Sequence, residues 1–295
     1  MSFKIVTDTS SNLPLERISE HDVHIVPFTY YPKDNSDNLM HCIDIDSFNG
    51  KDYYESIRHG TLYNTSQISP QTFYDYIAPI AREGNDVLFI SMSSGISGSF
   101  NSAMIAQGML QEDFPEQTFL MFDTMAASLG EGIAVLKAIE YRDQGMSITE
   151  CYEALKELRK CTYQVFTVED LKHLQRTGRL SNAAMIIGTV LHIRPILKGN
   201  ELSQIVNIAK VRGNKHAIKA LADKYNELVK NPENQIVGIA HADNQKDADT
   251  LKELICAEKP PKEVLTVCYE PVTGSHVGPS TIALFFLGDP DVRSH

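Results

Sequence analysis

The residues with the clearest chemical potential lie in VLFISMSSGISGSFNSA (87–103), where a hydrophobic run ends in Ser93-Ser94-Gly95-Ile96-Ser97-Gly98-Ser99 and a helical pattern follows. Glycine lets the backbone approach a ligand closely, a helix amino terminus offers free N–H groups, and serine hydroxyls donate. The set suits an anion such as a carboxylate or phosphate, and it equally suits an ordinary strand-to-helix turn with a serine cap. A second polar cluster, Asn64-Thr65-Ser66-Gln67-Ile68-Ser69-Pro70, precedes a proline-started helix. Capping accounts for Ser69 but does not call for Thr65, Ser66 and Gln67. A third segment, 166–197, sets the basic turn Gln175-Arg176-Thr177-Gly178-Arg179-Leu180 ahead of an apolar helix over 181–192. That helix carries Ile186, Ile187, Val190 and Leu191 on more than one face, as core helices do; the other reading makes these four the lining of a lipophilic cavity with Arg179 near its mouth. Arg212 in Val211-Arg212-Gly213 and His276 in Thr273-Gly274-Ser275-His276-Val277-Gly278-Pro279 stand beside glycines. There a histidine could donate to an anion, act as a base, or be purely structural.

Several sharper chemistries fail on spacing. A nucleophile elbow needs G-x-S-x-G, and Gly95-Ile96-Ser97-Gly98-Ser99 has serine where the last glycine belongs. Neither a G-x-x-x-x-G-K-[ST] string nor a G-x-G-x-x-G fingerprint occurs, so ATP hydrolysis or hydride transfer by this chain alone has no support. The ten histidines show no H-x-H or H-x-x-x-H spacing and the five cysteines no C-x-x-C pair. Neither a metal site nor a disulfide framework is expected.

The elements that must position these residues alternate short apolar strands with helical stretches, the pattern of a mostly parallel sheet covered by helices. Strands are expected over 3–7, 23–28, 87–92, 119–122, 163–168, 205–211, 236–241 and 264–269. Helices are expected from 70 towards Gly84, from 99, after Asp123-Thr124 towards Gly145, and over 149–160, 181–192, 214–229 and 246–257, the fifth stopped near Arg194-Pro195. A length of 295 residues favours two α/β domains over one. The boundary is placed at 160/161: an N-terminal α/β domain with the head-group loops over 1–160, and a C-terminal one over 161–295 with the apolar helix. A net charge of −11 without a basic block argues against nucleic acid and anionic membranes as partners. With no leader-like or membrane-spanning run, the expectation is a soluble, cytoplasmic protein.

Taken in order, TDTSSNLP (7–14), TSQISP (65–70), SSGISGSFNSA (93–103), DTMAAS (123–128), LQRTGRLS (174–181), VRGNKHAI (211–218), HADN (241–244) and SHVGP (275–279) resemble the DegV family of bacterial lipid-binding proteins across nearly the whole chain. The resemblance implies a two-domain DegV-like fold, a parallel-sheet α/β domain plus a second mixed α/β domain, with a long-chain fatty acid such as palmitate in a tunnel between or beside them and no other cofactor. It implies that Thr65 and Ser97 hold the carboxylate and that Arg179, Arg212 and His276 shape the head-group surface. By the same resemblance the acid is presented to a separate ATP-binding fatty acid kinase, and the chain is a carrier, not an enzyme. The competing reading is a hydrolase or acyl transferase using Ser97 with His276. Ile68 departs from the family pattern, which commonly has proline after TSQ, and so does Thr177 before Gly178.

Overall fold

The computed structural model describes residues 3–42, 45–180 and 193–295. They form two compact units, Met1–Phe48 with Asn64–Arg159, and Asn49–Tyr63 with Lys160–His295. The excursion 49–63 therefore groups with the second unit although it lies well before residue 160 in the chain.

In the first unit β1 (Lys4–Asp8), β2 (Val23–Val26), β6 (Val87–Ser91) and β7 (Phe119–Asp123) make an all-parallel sheet in the order β2-β1-β6-β7. β6 is buried at every position, as befits a continuous apolar run covered on both faces. Helices α2 (Pro70–Arg82), α3 (Ser99–Asp113), α4 (Leu129–Asp143) and α5 (Ile148–Cys161) complete the unit. The expected start of α2 is present: Ser69 Oγ accepts from the Thr72 amide at 3.0 Å, Pro70 opens the helix, and Gly84 follows its end at φ +82°. A small sheet, β4 (Met40–His41)-β3 (Thr29–Pro32)-β5 (Tyr63–Ser66), delivers Thr65 on β5. Strand order reverses direction between β1 and β6, and at such a switch point the carboxyl ends of parallel strands leave a crevice for ligands. Both TDTSSN after β1 and SSGISG after β6 emerge there.

The second unit holds α1 (Gly50–Arg58), β8 (Thr162–Thr167), α6 (Lys172–Arg176), β9 (Ile193–Gly199), β10 (Ile205–Arg212), α7 (Asn214–Leu228), β11 (Ile236–His241), α8 (Gln245–Glu258), β12 (Glu263–Cys268), α9 (Pro271–Val277) and β13 (Ile282–Leu287). Its mixed sheet runs β10-β9-β8-β13-β11-β12. Tyr163, Tyr225 and Phe286 stack within its core, with ring centroids 5.3 Å apart in both pairs. The registers bring the carboxyl ends of β8, β10, β11 and β12 to one edge of the sheet. From that edge come α6, Arg212, the HADN turn and α9.

Two elements are absent from the sequence expectations. Arg194 and Pro195, near which a helix is expected to have stopped, belong to β9, opposite Val211 and Lys210. β8 pairs no further along β9 than Ile196, so Pro195 has a strand neighbour on one side only, where proline is tolerated. The SHVGP segment, for which the sequence predicts no element, begins in the last turn of α9. The start of the helix is capped by the buried Glu270, which accepts from the Val272 and Thr273 amides at 2.5 and 2.7 Å, and Gly278 follows at φ +80°. The helix expected over 181–192, with Ile186, Ile187, Val190 and Leu191, lies outside the described residues.

α1 is fastened to the loop and first turn before and within α9. Tyr53 and Tyr54 donate to the carbonyls of Pro271 and Tyr269 at 2.8 and 2.9 Å. A Cβ on Gly274 would lie 2.0 Å from the Tyr54 hydroxyl oxygen, so glycine here is a packing requirement. Gly274→Ala is expected to destabilise the protein by ~1–3 kcal/mol through overpacking. Tyr54→Phe should cost about 1 kcal/mol through the lost hydrogen bond. Urea denaturation measures both, and a Gly274→Ala midpoint equal to wild type would show that Tyr54 is not wedged against α9.

Candidate functional site

The serine loop is held from several sides. The Ser93 amide donates to the Ala126 carbonyl at 2.8 Å, and the Ser97 amide to the Ser93 carbonyl at 3.2 Å. Asp123, at the end of β7, accepts from the Ser94 hydroxyl at 2.5 Å and from the Ser94 amide at 3.2 Å. Ser97, half-buried, donates its hydroxyl to Ser99 Oγ at 3.0 Å and accepts from the Ser99 amide at 3.2 Å. The loop thus ends with side-chain oxygens gathered around the first turn of α3.

The segment that carries Thr65 is joined to this loop. The Ile68 amide donates to Ser99 Oγ at 3.1 Å, and Gln67 Nε2 donates to Ser102 Oγ at 3.4 Å. Gly98 leaves the room that Gln67 occupies: a Cβ there would sit 2.3 Å from Gln67 Oε1. The Ile68 bond is one that proline, lacking an N–H, could not make. Thr65 lies half-buried two residues before Gln67 on β5. The sequence marks Gln67 as unexplained by capping and Ser99 as a helix start; only the docking of two distant segments makes them joints.

In the second unit the structure brings His276 together with Arg176 and Arg179. Burial and the two guanidinium charges push the His276 imidazole down to about 3, so it is neutral at physiological pH. Arg179 is half-buried and donates to the Thr177 carbonyl; its desolvation lowers its pKa. His173 of α6 packs on Gly278, whose missing side chain leaves 2.4 Å between a would-be Cβ and the ring. Burial lowers His173 as well, with Arg176 adding to the effect. Arg212 ends β10 and is exposed, and its carbonyl accepts from His216 Nδ1 at 2.9 Å. The HADN turn is structural in outline: the Asn244 amide donates to His241 Nδ1 at 3.2 Å, and Asp243 pairs with Arg58 at 2.5 Å.

With this geometry in hand, the similarity to known proteins is decisive. The family described as "Uncharacterised protein, DegV family" matches residues 2–289. The chain belongs to the DegV family. It is 35% identical over 288 residues to a DegV domain-containing protein of Clostridium perfringens, covering 97% of this chain and 98% of that one. Among solved structures it is similar to a DegV family protein from Thermus thermophilus, described by its fatty acid binding, with a TM-score of 0.87, 26% identity, and 98% and 100% of the two chains covered. It is also similar to DegV of Bacillus subtilis, a fatty acid binding protein, with a TM-score of 0.83, 28% identity, and 98% and 100% coverage.

The side chains of this DegV-family chain suit recognition of an anion better than bond breaking. A serine nucleophile requires a base accepting its proton, whereas the Ser97 hydroxyl donates to another serine. Among the described residues, no group of three or more His, Cys, Asp or Glu is placed to hold a metal ion, and no helix is long and apolar enough to cross a membrane. His276 can still donate one N–H while neutral, and a neutral ring needs no proton uptake to do so. The expected observation is that its ring carbon resonances stay flat from pH 5 to pH 8 in a histidine NMR titration. A transition near the ordinary histidine value of about 6.5 would show that the ring is neither desolvated nor flanked by Arg176 and Arg179.

Proposed function

We propose that this chain binds a long-chain fatty acid, presents its carboxylate to a separate ATP-dependent fatty acid kinase, and so serves lipid transport and phospholipid metabolism. The observation that carries the reading is whole-length similarity to solved DegV proteins described as fatty acid binding, at 26% and 28% identity. The hydrogen-bonded junction of the Thr65 and Ser97 segments supports it, because it gathers hydroxyl donors at the amino end of α3. Thr65 and Ser97 hold the carboxylate, and Arg179, Arg212 and His276 shape the head-group surface that meets the kinase. Ile186, Ile187, Val190 and Leu191 contact the tail. The protein acts in the cytoplasm as a carrier.

Energetics divide the labour. Burying a sixteen-carbon tail at ~0.8 kcal/mol per methylene offers on the order of 10 kcal/mol before ordering costs. Each hydroxyl donating to a carboxylate adds ~1–3 kcal/mol and, more importantly, fixes which end of the acid faces outward.

The expected result of organic extraction and mass spectrometry on protein purified from cells is a C14–C18 acid. Thr65→Ala and Ser97→Ala should each weaken palmitate binding by roughly 5- to 100-fold, the equivalent of ~1–3 kcal/mol. Protein that is lipid-free and binds no such acid would refute the carrier reading. Turnover of an acyl ester that disappears in Ser97→Ala would replace it with the hydrolase reading. Formation of acyl phosphate on mixing loaded protein with a fatty acid kinase and ATP tests the partnership.

A further inference from the structure

Beneath the serine loop lies a pair of carboxyl groups that the head-group chemistry does not use. Asp8 ends β1 and Glu131 stands in the first turn of α4; both side chains are fully buried and linked through Ser10, whose amide donates to Asp8 and whose hydroxyl donates to Glu131. In each of these bonds the acid accepts. Asp8 accepts from the Ser10 amide at 2.9 Å and from the Met92 amide at 3.3 Å. Glu131 accepts from the Thr7 hydroxyl at 2.9 Å and from the Ser10 hydroxyl. Two ionised carboxylates buried side by side are strongly disfavoured, so the pair retains a proton.

We infer that Asp8 and Glu131 form a pair sharing a single proton, carried by Glu131 and donated to Asp8, and that this pair positions the serine loop by fixing the Met92 amide at the root of that loop. Met92 immediately precedes Ser93, whose carbonyl receives the Ser97 amide. On the other side, Gly132 closes the contact: a Cβ there would lie 2.5 Å from the Ser11 carbonyl oxygen, so α4 and the turn after β1 are pressed together around the acids. These are positioning residues, and their link to fatty acid binding rests on the function proposed above.

The groups facing the pair are few. From β1 and the following turn they are Thr7 and Ser10, and from the residue after β6 the Met92 amide. Charged groups elsewhere on these elements have their own partners: Lys4 pairs with Asp22, Lys137 with Glu140, and Arg142 donates to the His21 carbonyl. Burial raises both acids. Asp8, stabilised in its charged form by the two amides, is pushed up to about 6. Glu131 rises well above the usual carboxylate range because the Asp8 charge adds to its desolvation. An unfolded glutamate releases its proton near about 4.3. A folded value above that means the proton's stabilising contribution is complete at acid pH and lost as pH rises through the folded value of Glu131.

Glu131→Gln tests the proposal, because an amide donates to Asp8 as a protonated acid does but cannot ionise. Wild-type protein at pH 7 should show the infrared carbonyl band of a protonated carboxyl, and Glu131→Gln should lack it. Amide hydrogen exchange at Ser10 and Met92, corrected for intrinsic rates, should lose protection in wild type by up to about tenfold per pH unit as pH rises from the unfolded glutamate value towards the folded value of Glu131, and level off once Glu131 ionises. In Glu131→Gln the loss should be smaller, with only Asp8 left to contribute it. A wild-type spectrum without the band, or the same pH profile in both proteins, overturns the proposal; the band and the wild-type profile need no variant to fold. Palmitate affinity should fall with rising pH in wild type and less in Glu131→Gln. Palmitate bound by neither protein at any pH would refute the fatty acid reading, while the band and the exchange at Met92 still decide the pair.

Discussion

Removing two carboxyl groups from water at the carboxyl end of a parallel strand is the constraint around which the first unit is arranged. An ionised carboxylate transferred to a protein interior costs several kcal/mol unless its lone pairs are met by donors. At Asp8 and Glu131 the donors come from three places: Thr7 in β1, Ser10 in the turn after it, and the Met92 amide just beyond β6. Satisfying the acids therefore requires all three to arrive in register. The loop that carries Ser93 to Ser99 starts at one of those donors, so its placement follows from the same requirement.

The charge distribution sets local donors against an acidic average. The net charge of −11 describes the average surface. Locally, hydroxyls and amides gather at α3 in the first unit, and Arg176, Arg179 and a neutral His276 gather beside α9 in the second. Neutral donors recognise a carboxylate without an added cation, and an arginine stays charged in a setting where a histidine does not.

Much of the architecture was legible because the physics behind it is local. VLFIS at 87–91 reads as a doubly covered strand from its unbroken apolar run, and Ser69-Pro70 reads as a helix start from one cap and one fixed φ angle. The elements missed were those whose identity depends on neighbours. β9 is not foreseen around Pro195, which fits there because β8 ends before reaching it. α9 is not foreseen either; Glu270 caps it and Tyr54 fills the space over Gly274. The segment 49–63 gives no sign in composition that it packs with residues 160–295; that follows from two tyrosine hydroxyls finding carbonyls more than two hundred residues away.

The candidate site divides in the same way. Residue types and order alone determined the DegV family, the two-unit α/β class, and the hydroxyl- and glycine-rich segments around Thr65 and Ser97, since each is a property of contiguous residues. Only the tertiary structure decided that Gln67 and Ile68 dock on Ser102 and Ser99, that His276 is neutral beside two arginines, and that Glu131 meets Asp8 across 123 positions of chain. Desolvation and hydrogen-bond partnership are properties of a packed neighbourhood, and a neighbourhood assembled from distant segments has no signature in any one of them.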